Sequence, residues 1–78
     1  MALTSETKIE VIQHIGVLRT YRNGATLEVN IVKQGSYPEK WDIRRWHLDE
    51  NGTKCPGRGV FLDGGEIEEL KALLDEQL

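Results

Sequence analysis

This chain of 78 residues has one cysteine, two prolines and five aromatic residues. No apolar run approaches the ~20 residues that a membrane-spanning helix requires. A single thiol, Cys55, cannot close an intrachain disulfide, so no oxidised framework holds this fold and a reducing, cytoplasmic setting suits it. Met1 to Thr7 lacks the charged-then-apolar pattern of a secretion signal and reads as a flexible lead into one domain over 8–78. Catalytic groupings are equally scarce. His14 and His47 have no cysteine or carboxylate at metal-ligand spacing, which argues against a metal. Ser5 and Ser36 lack the strand-turn-helix setting of an activated nucleophile. Gly57-Arg58-Gly59 and Gly64-Gly65 match no phosphate-loop or dinucleotide fingerprint. The sequence therefore predicts neither an enzyme nor a cofactor, and binding is what remains.

A basic excess is missing too, since the net charge is −3. Its distribution is uneven: residues 19–58 carry +3 and residues 59–78 carry −5. That asymmetry is compatible with a cationic binding face and an acidic helix elsewhere. A domain this short buries only about 60–65% of its unfolded surface, so pairing with a second copy is a ready source of further burial.

Residues 8–21 are rich in Ile, Val, Leu and Thr and read as a strand, bent at Gly16. Asn23-Gly24 is a strong hairpin signal. Leu27, Val29 and Ile31 then alternate with Thr26, Glu28 and Asn30, the mark of a second strand with one buried face. The turn Gln34–Pro38 leads into a third strand over 39–48. Here Trp41, Ile43, Arg45 and His47 take one side, and Asp42, Arg44 and Trp46 the other. Residues 49–57 read as a loop, and Gly59 to Leu62 as a short fourth strand. Asp63 with Glu66 three residues later is a capping box opening a helix. Ile67, Leu70 and Leu74, with Leu73 and Leu78, form its apolar stripe, which suits a core or a dimer interface. The expected class is α+β: a curved four-stranded antiparallel sheet and one C-terminal helix, β-β-β-β-α.

An antiparallel sheet with Arg and Trp on one face and apolar residues with a helix on the other is a workable platform for single strands. The lone helix is acidic, which argues against insertion into a duplex groove. Each candidate also has an ordinary structural role. Trp46 serves equally as core filler or stacking ring, Arg44 as cross-strand partner of an acid, and Arg45 and Arg58 as solvated cations. Trp41, sharing parity with Ile43, reads as packed, and Tyr37 and Tyr21 sit beside turns.

Asp42-Ile43-Arg44-x-Trp46, Asp49-Glu50-x-Gly52, Pro56-Gly57-Arg58-Gly59-Val60-x-Leu62 and the capped helix occur in that order. Together they resemble the transcriptional coactivator family of positive cofactor four, in its short bacterial form, over residues 41–74. The resemblance implies a homodimer with paired helices, and curved sheets that channel single-stranded DNA or RNA without reading sequence. It also implies a coactivator or regulator role, with the transcription machinery as a further partner and the cytoplasm or nucleoid as location. By residue it points to Arg44, Trp46 and Arg58 as ligand contacts. Lys33, Lys40, Arg45, Lys54 and Tyr37 follow around them, and Ile67, Leu70 and Leu74 stand at the dimer interface or core. Arg58 runs directly into Gly59 where the family carries a lysine, and Phe61 stands where the family has a small polar residue. The alternative is a non-catalytic protein-interaction or assembly module that keeps the fold without the ligand.

Overall fold

Alternation and turn chemistry resolve into a four-stranded antiparallel meander and one helix in the computed structural model, which describes residues 8–78. The strands are β1 (Ile9–Thr20), β2 (Thr26–Gln34), β3 (Lys40–Leu48) and β4 (Lys54–Leu62), and the helix is α1 (Gly64–Gln77). Strand order in the sheet follows the chain, so β1 and β4 are its two edges. The segment 1–7, expected as a flexible lead, lies outside the described residues.

The first hairpin uses its Asn-Gly signal in an unexpected way. Tyr21 N donates to Ala25 O at 2.7 Å and Gly24 N to Tyr21 O at 3.0 Å, leaving a three-residue loop. Only Gly24 takes a positive φ, 89°, so a type I turn is closed by a left-handed glycine. The β3–β4 hairpin repeats this pattern. Asp49 N donates to Thr53 O and Gly52 N to Asp49 O, both at 2.9 Å. The Asp49 carboxylate accepts from Asn51 N and Thr53 N at 2.8 and 2.9 Å, which fixes the loop.

Two strands depart from the sequence expectation. β4 begins at Lys54, not Gly59, and contains Pro56 and Gly57. An edge strand tolerates this, because the proline's missing N–H need face no neighbour. Gly57 and Arg58 together oppose Arg45, between the pairs Trp46–Pro56 and Arg44–Gly59. That extra residue is a β-bulge. A Cβ on Gly59 would stand 2.5 Å from both Ile43 O and Arg44 Cβ, so β3 and β4 meet at this distance only because residue 59 is glycine.

β1 does not simply bend at Gly16. It holds twelve residues against nine in β2, with an extra residue at Ile12, Ile15 and Leu18. Val11, His14 and Val17 consequently stand opposite Val32, Asn30 and Glu28, a three-residue period where a regular strand has two. Bulges of this kind sharpen twist and bend. Val11, His14 and Val17 of β1 line one cleft with Lys54 of β4, although a flat sheet would hold those edges about 14 Å apart. The sheet therefore curls over the face that carries Glu28, Asn30, Asp42, Arg44 and Trp46.

The alternation expected in β2 and β3 is present, but coverage is reversed. Glu28, Asn30, Val32, Asp42, Arg44 and Trp46 are buried. Leu27, Val29, Ile31, Trp41 and Ile43 are only half-buried, so Ile43, expected in the core, lies on the less covered face. The capping box is formed as expected: Glu66 N donates to Asp63 Oδ1 at 2.8 Å and Asp63 N to Glu66 Oε1 at 2.9 Å. α1 meets chiefly β3 and β4 and buries none of its own residues. Ile67 and Leu70 are half-buried, while Leu73, Leu74 and Leu78 are exposed. The stripe is thus not absorbed into the core of its own chain.

Candidate nucleic-acid interface

Period two puts Asp42 and Arg44 side by side on the concave face, and they form an ion pair there. Arg44 Nε donates to both Asp42 oxygens at 3.0 Å, and Nη2 stands 2.8 Å from Oδ1. Nη1 donates to Gly57 O at 2.7 Å, which ties β3 to the bulge of β4. The guanidinium also lies 4.8 Å from the Phe61 ring centre. Asp42 has no exposed surface and Arg44 keeps 8%. Arg44, expected at the ligand-facing surface, is therefore a buried structural cation whose charge is balanced internally.

A second polar cluster joins β1, β2 and β4. Lys54 pairs with the buried Glu28 carboxylate, which also accepts hydrogen bonds from Thr26 and from Asn30. His14 Nδ1 donates to Asn30 Oδ1 at 2.7 Å and lies 3.6 Å from Glu28. Burial alone would raise the Glu28 carboxyl. Hydrogen bonds from Lys54, Thr26 and Asn30, with the Lys54 charge, outweigh that and hold it below its ordinary 4.5. The Lys54 ammonium also sits 5.8 Å from the Trp46 ring centre. Trp46 is 6% exposed, and its Nε1 is buried with no acceptor among the described residues. It fills the floor of the concave face instead of presenting a ring to solvent.

The accessible candidates lie around this interior. At the β2–β3 turn, Tyr37 is 61% exposed and Phe61 37% exposed. They line one open cleft of about 260 Å³ with Val32, Gln34, Pro38 and Lys40. Lys33 is exposed beside that turn. At the other end of the sheet, Arg45 and Arg58 are exposed and form no ion pair among the described residues. The structure thus brings Lys40, Tyr37 and Phe61 together, leaves Arg45 and Arg58 apart from them, and withdraws Arg44 and Trp46 inward. Phe61 was read in the sequence only as a departure from a family pattern, and its adjacency to Tyr37 follows from the register that pairs it with Asp42. Glu28, Asn30 and His14 gave no signal beyond sharing parity with Val32 and Trp46.

Among the described residues, no group of three or more His, Cys, Asp or Glu side chains is placed to hold a metal, and no helix is long and apolar enough to cross a membrane. No family model matches the chain. A protein of Treponema pallidum (strain Nichols), described as an uncharacterized protein, is 39% identical over 66 residues, covering 85% of this chain and 74% of its own length. That degree of identity over most of both sequences places the chain in one family with the treponemal protein.

Proposed function

We propose that this chain binds single-stranded nucleic acid without reading its sequence and without catalysis, as a homodimer acting in transcription or in protecting unpaired strands in the cytoplasm. The observation that carries this reading is the cleft shared by Tyr37 and Phe61, with the Lys40 ammonium among its lining groups. Two partly exposed rings beside a lysine suit a base and its neighbouring phosphate, and stacking on an exposed aromatic is worth about 1–3 kcal/mol per base. A cleft of about 260 Å³ is small for a whole cofactor and suits one planar ring. Lys33 and Lys40 of each copy supply phosphate contacts. Arg44 and Trp46 support the platform from beneath, and Lys54 pairs with Glu28 beside them. The exposed face of α1 around Ile67, Leu70, Leu74 and Leu78 lines an open cleft, which a second copy would cover.

Fluorescence anisotropy with a labelled oligo-dT at several salt concentrations tests the reading. About four phosphate contacts give a log-log salt slope near −3. Tyr37→Ala and Phe61→Leu each weaken binding about ten-fold, the low end of a lost stacking contact. Salt-independent affinity, or duplex bound as tightly as single strands, would overturn it.

A second reading is a non-catalytic interaction module that keeps the fold without the ligand. The internal neutralisation of Arg44 by Asp42 and of Lys54 by Glu28 favours it, because it removes net charge from the concave face. Oligo-dT separates the two readings directly: this one expects no binding at any salt concentration.

A further inference from the structure

On the face opposite Asp42, Arg44 and Trp46, the register aligns Arg19 of β1 and Arg45 of β3 on either side of Leu27 in β2. Gly57 and Arg58 of the β4 bulge continue the same level across the sheet. Tyr21 follows β1 directly, and its backbone is anchored by both backbone–backbone hydrogen bonds of the first hairpin. Its ring centre lies 4.1 Å from the Arg45 guanidinium carbon and 4.9 Å from that of Arg19. Two cations thus gather around one half-buried ring, and Arg22 stands exposed in the adjoining loop. None of Arg19, Arg22, Arg45 and Arg58 forms an ion pair among the described residues. The acids on β2 and β3, Glu28 and Asp42, point to the other face and are occupied there. Asp49, in the hairpin at the same end, is occupied by its own loop's amides.

We propose that the row Arg19–Tyr21–Arg45, extended by Arg22 and Arg58, is a separate site for the phosphodiester backbone of a nucleic acid. The argument is one of preorganisation. Like charges gather only when something holds them, and here an aromatic ring fixed by a hairpin holds both. A guanidinium stacked by its face keeps its N–H edge free, and that planar fork matches phosphate bidentately. Every cation in the row is arginine. A strand laid across the β-strands would meet Arg19, Arg45 and Arg58 in succession, on the face away from the Tyr37–Phe61 cleft. The choice of nucleic acid over another polyanion rests on the function proposed above.

The test uses the full chain and Arg19→Gln/Arg45→Gln, with circular dichroism confirming the fold of the variant. Oligo-dT anisotropy is expected to fall about ten-fold in affinity, with a salt slope shallower by about 1.4, as two lost phosphate contacts require. Arg19→Lys/Arg45→Lys, which keeps charge but removes stack and fork, is expected to fall between the two. Unchanged affinity and slope in the Gln variant, with wild type binding oligo-dT, would overturn this site and leave the general reading intact. A parallel titration with sodium tripolyphosphate, read by NMR on the Tyr21 ring, separates the remaining case. If wild type binds no oligo-dT but tripolyphosphate shifts Tyr21 and the Gln variant abolishes the shift, the phosphate site stands and the general reading falls. If neither probe acts on wild type, both fall. Binding of poly-glutamate in place of oligo-dT overturns the phosphate assignment in favour of an acidic protein segment.

Discussion

Replacing Arg44 by methionine separates a structural cation from a ligand contact. Asp42 has no exposed surface, and Arg44 is its ion-pair partner. Removing one member of a buried pair leaves the other uncompensated, at a cost of about 3–5 kcal/mol. The same change removes the 2.7 Å hydrogen bond to Gly57 O, and such bonds from charged donors are worth about 1.5–3 kcal/mol. These terms overlap and do not add. A chain of 78 residues has about 4–12 kcal/mol in total, so Arg44→Met should lose about a quarter or more of its stability. With a urea m-value of about 1 kcal/mol/M, the midpoint should drop by about 3 M, read by circular dichroism or by tryptophan fluorescence. Asp42→Asn/Arg44→Met removes both charges and should recover most of that loss, giving a double-mutant coupling of at least about 2 kcal/mol. If the double variant then binds oligo-dT like wild type, Arg44 acts only through the fold. A single variant within about 0.5 kcal/mol of wild type, or a coupling near zero, would refute the assignment of Arg44 as a buried structural partner.

Other expectations follow from the same geometry. Gly59→Ala should destabilise by about 2–3 kcal/mol and Gly57→Ala by less, because the added Cβ meets Ile43 O and Arg44 Cβ at 2.5 Å in the first case and Arg45 O at 2.9 Å in the second; equal urea midpoints would contradict this. Glu28 has a lowered folded pKa, so its stabilisation is complete above the unfolded value near 4.5 and disappears as pH falls through the lower folded value. Glu28→Gln should therefore flatten the dependence of the urea midpoint on pH between about 5 and 3, and an unchanged slope would refute it. Asp63→Ala should cost about 1 kcal/mol by opening the capping box, visible as a lower thermal midpoint. Leu74→Glu should convert the proposed dimer to a monomer by light scattering while leaving the far-ultraviolet dichroism unchanged, and a wild type that scatters as a monomer would refute the proposed pairing.

Local chemistry was legible in the sequence wherever one residue determines the outcome. Gly24 and Gly52 announce their hairpins because few other residues take their backbone conformation. Asp63 and Glu66 announce the helix because their side chains close on each other's amides. Coverage was not legible. Glu28, Asn30, Asp42 and Arg44 alternate like a solvent face, and only pairing makes their burial tolerable; Arg44 finds Asp42 two residues away, but Glu28 depends on Lys54, 26 residues beyond it. Pro56-Gly57 reads as part of a loop, since the sequence does not reveal that β4 is an edge. The three-residue period of Val11, His14 and Val17 likewise conceals which face of β1 turns inward, although composition marks the segment as a strand. Arg19 and Arg45 are distant in sequence and meet only through Tyr21.

The extra residues of β1 also bear on how copies of this chain can associate. An open sheet invites continuation, because each outer strand offers a row of unpaired N–H and C=O groups to any passing strand. Here that row is interrupted at Ile12, Ile15 and Leu18, and a regular strand laid alongside would lose step every three residues. The opposite border is broken by Pro56 and by the doubled Gly57-Arg58. Neither side offers a template for indefinite lengthening, although β1 carries exposed Val11, Ile12, Ile15, Val17 and Leu18. Both borders thereby work against a ribbon that would grow into fibres.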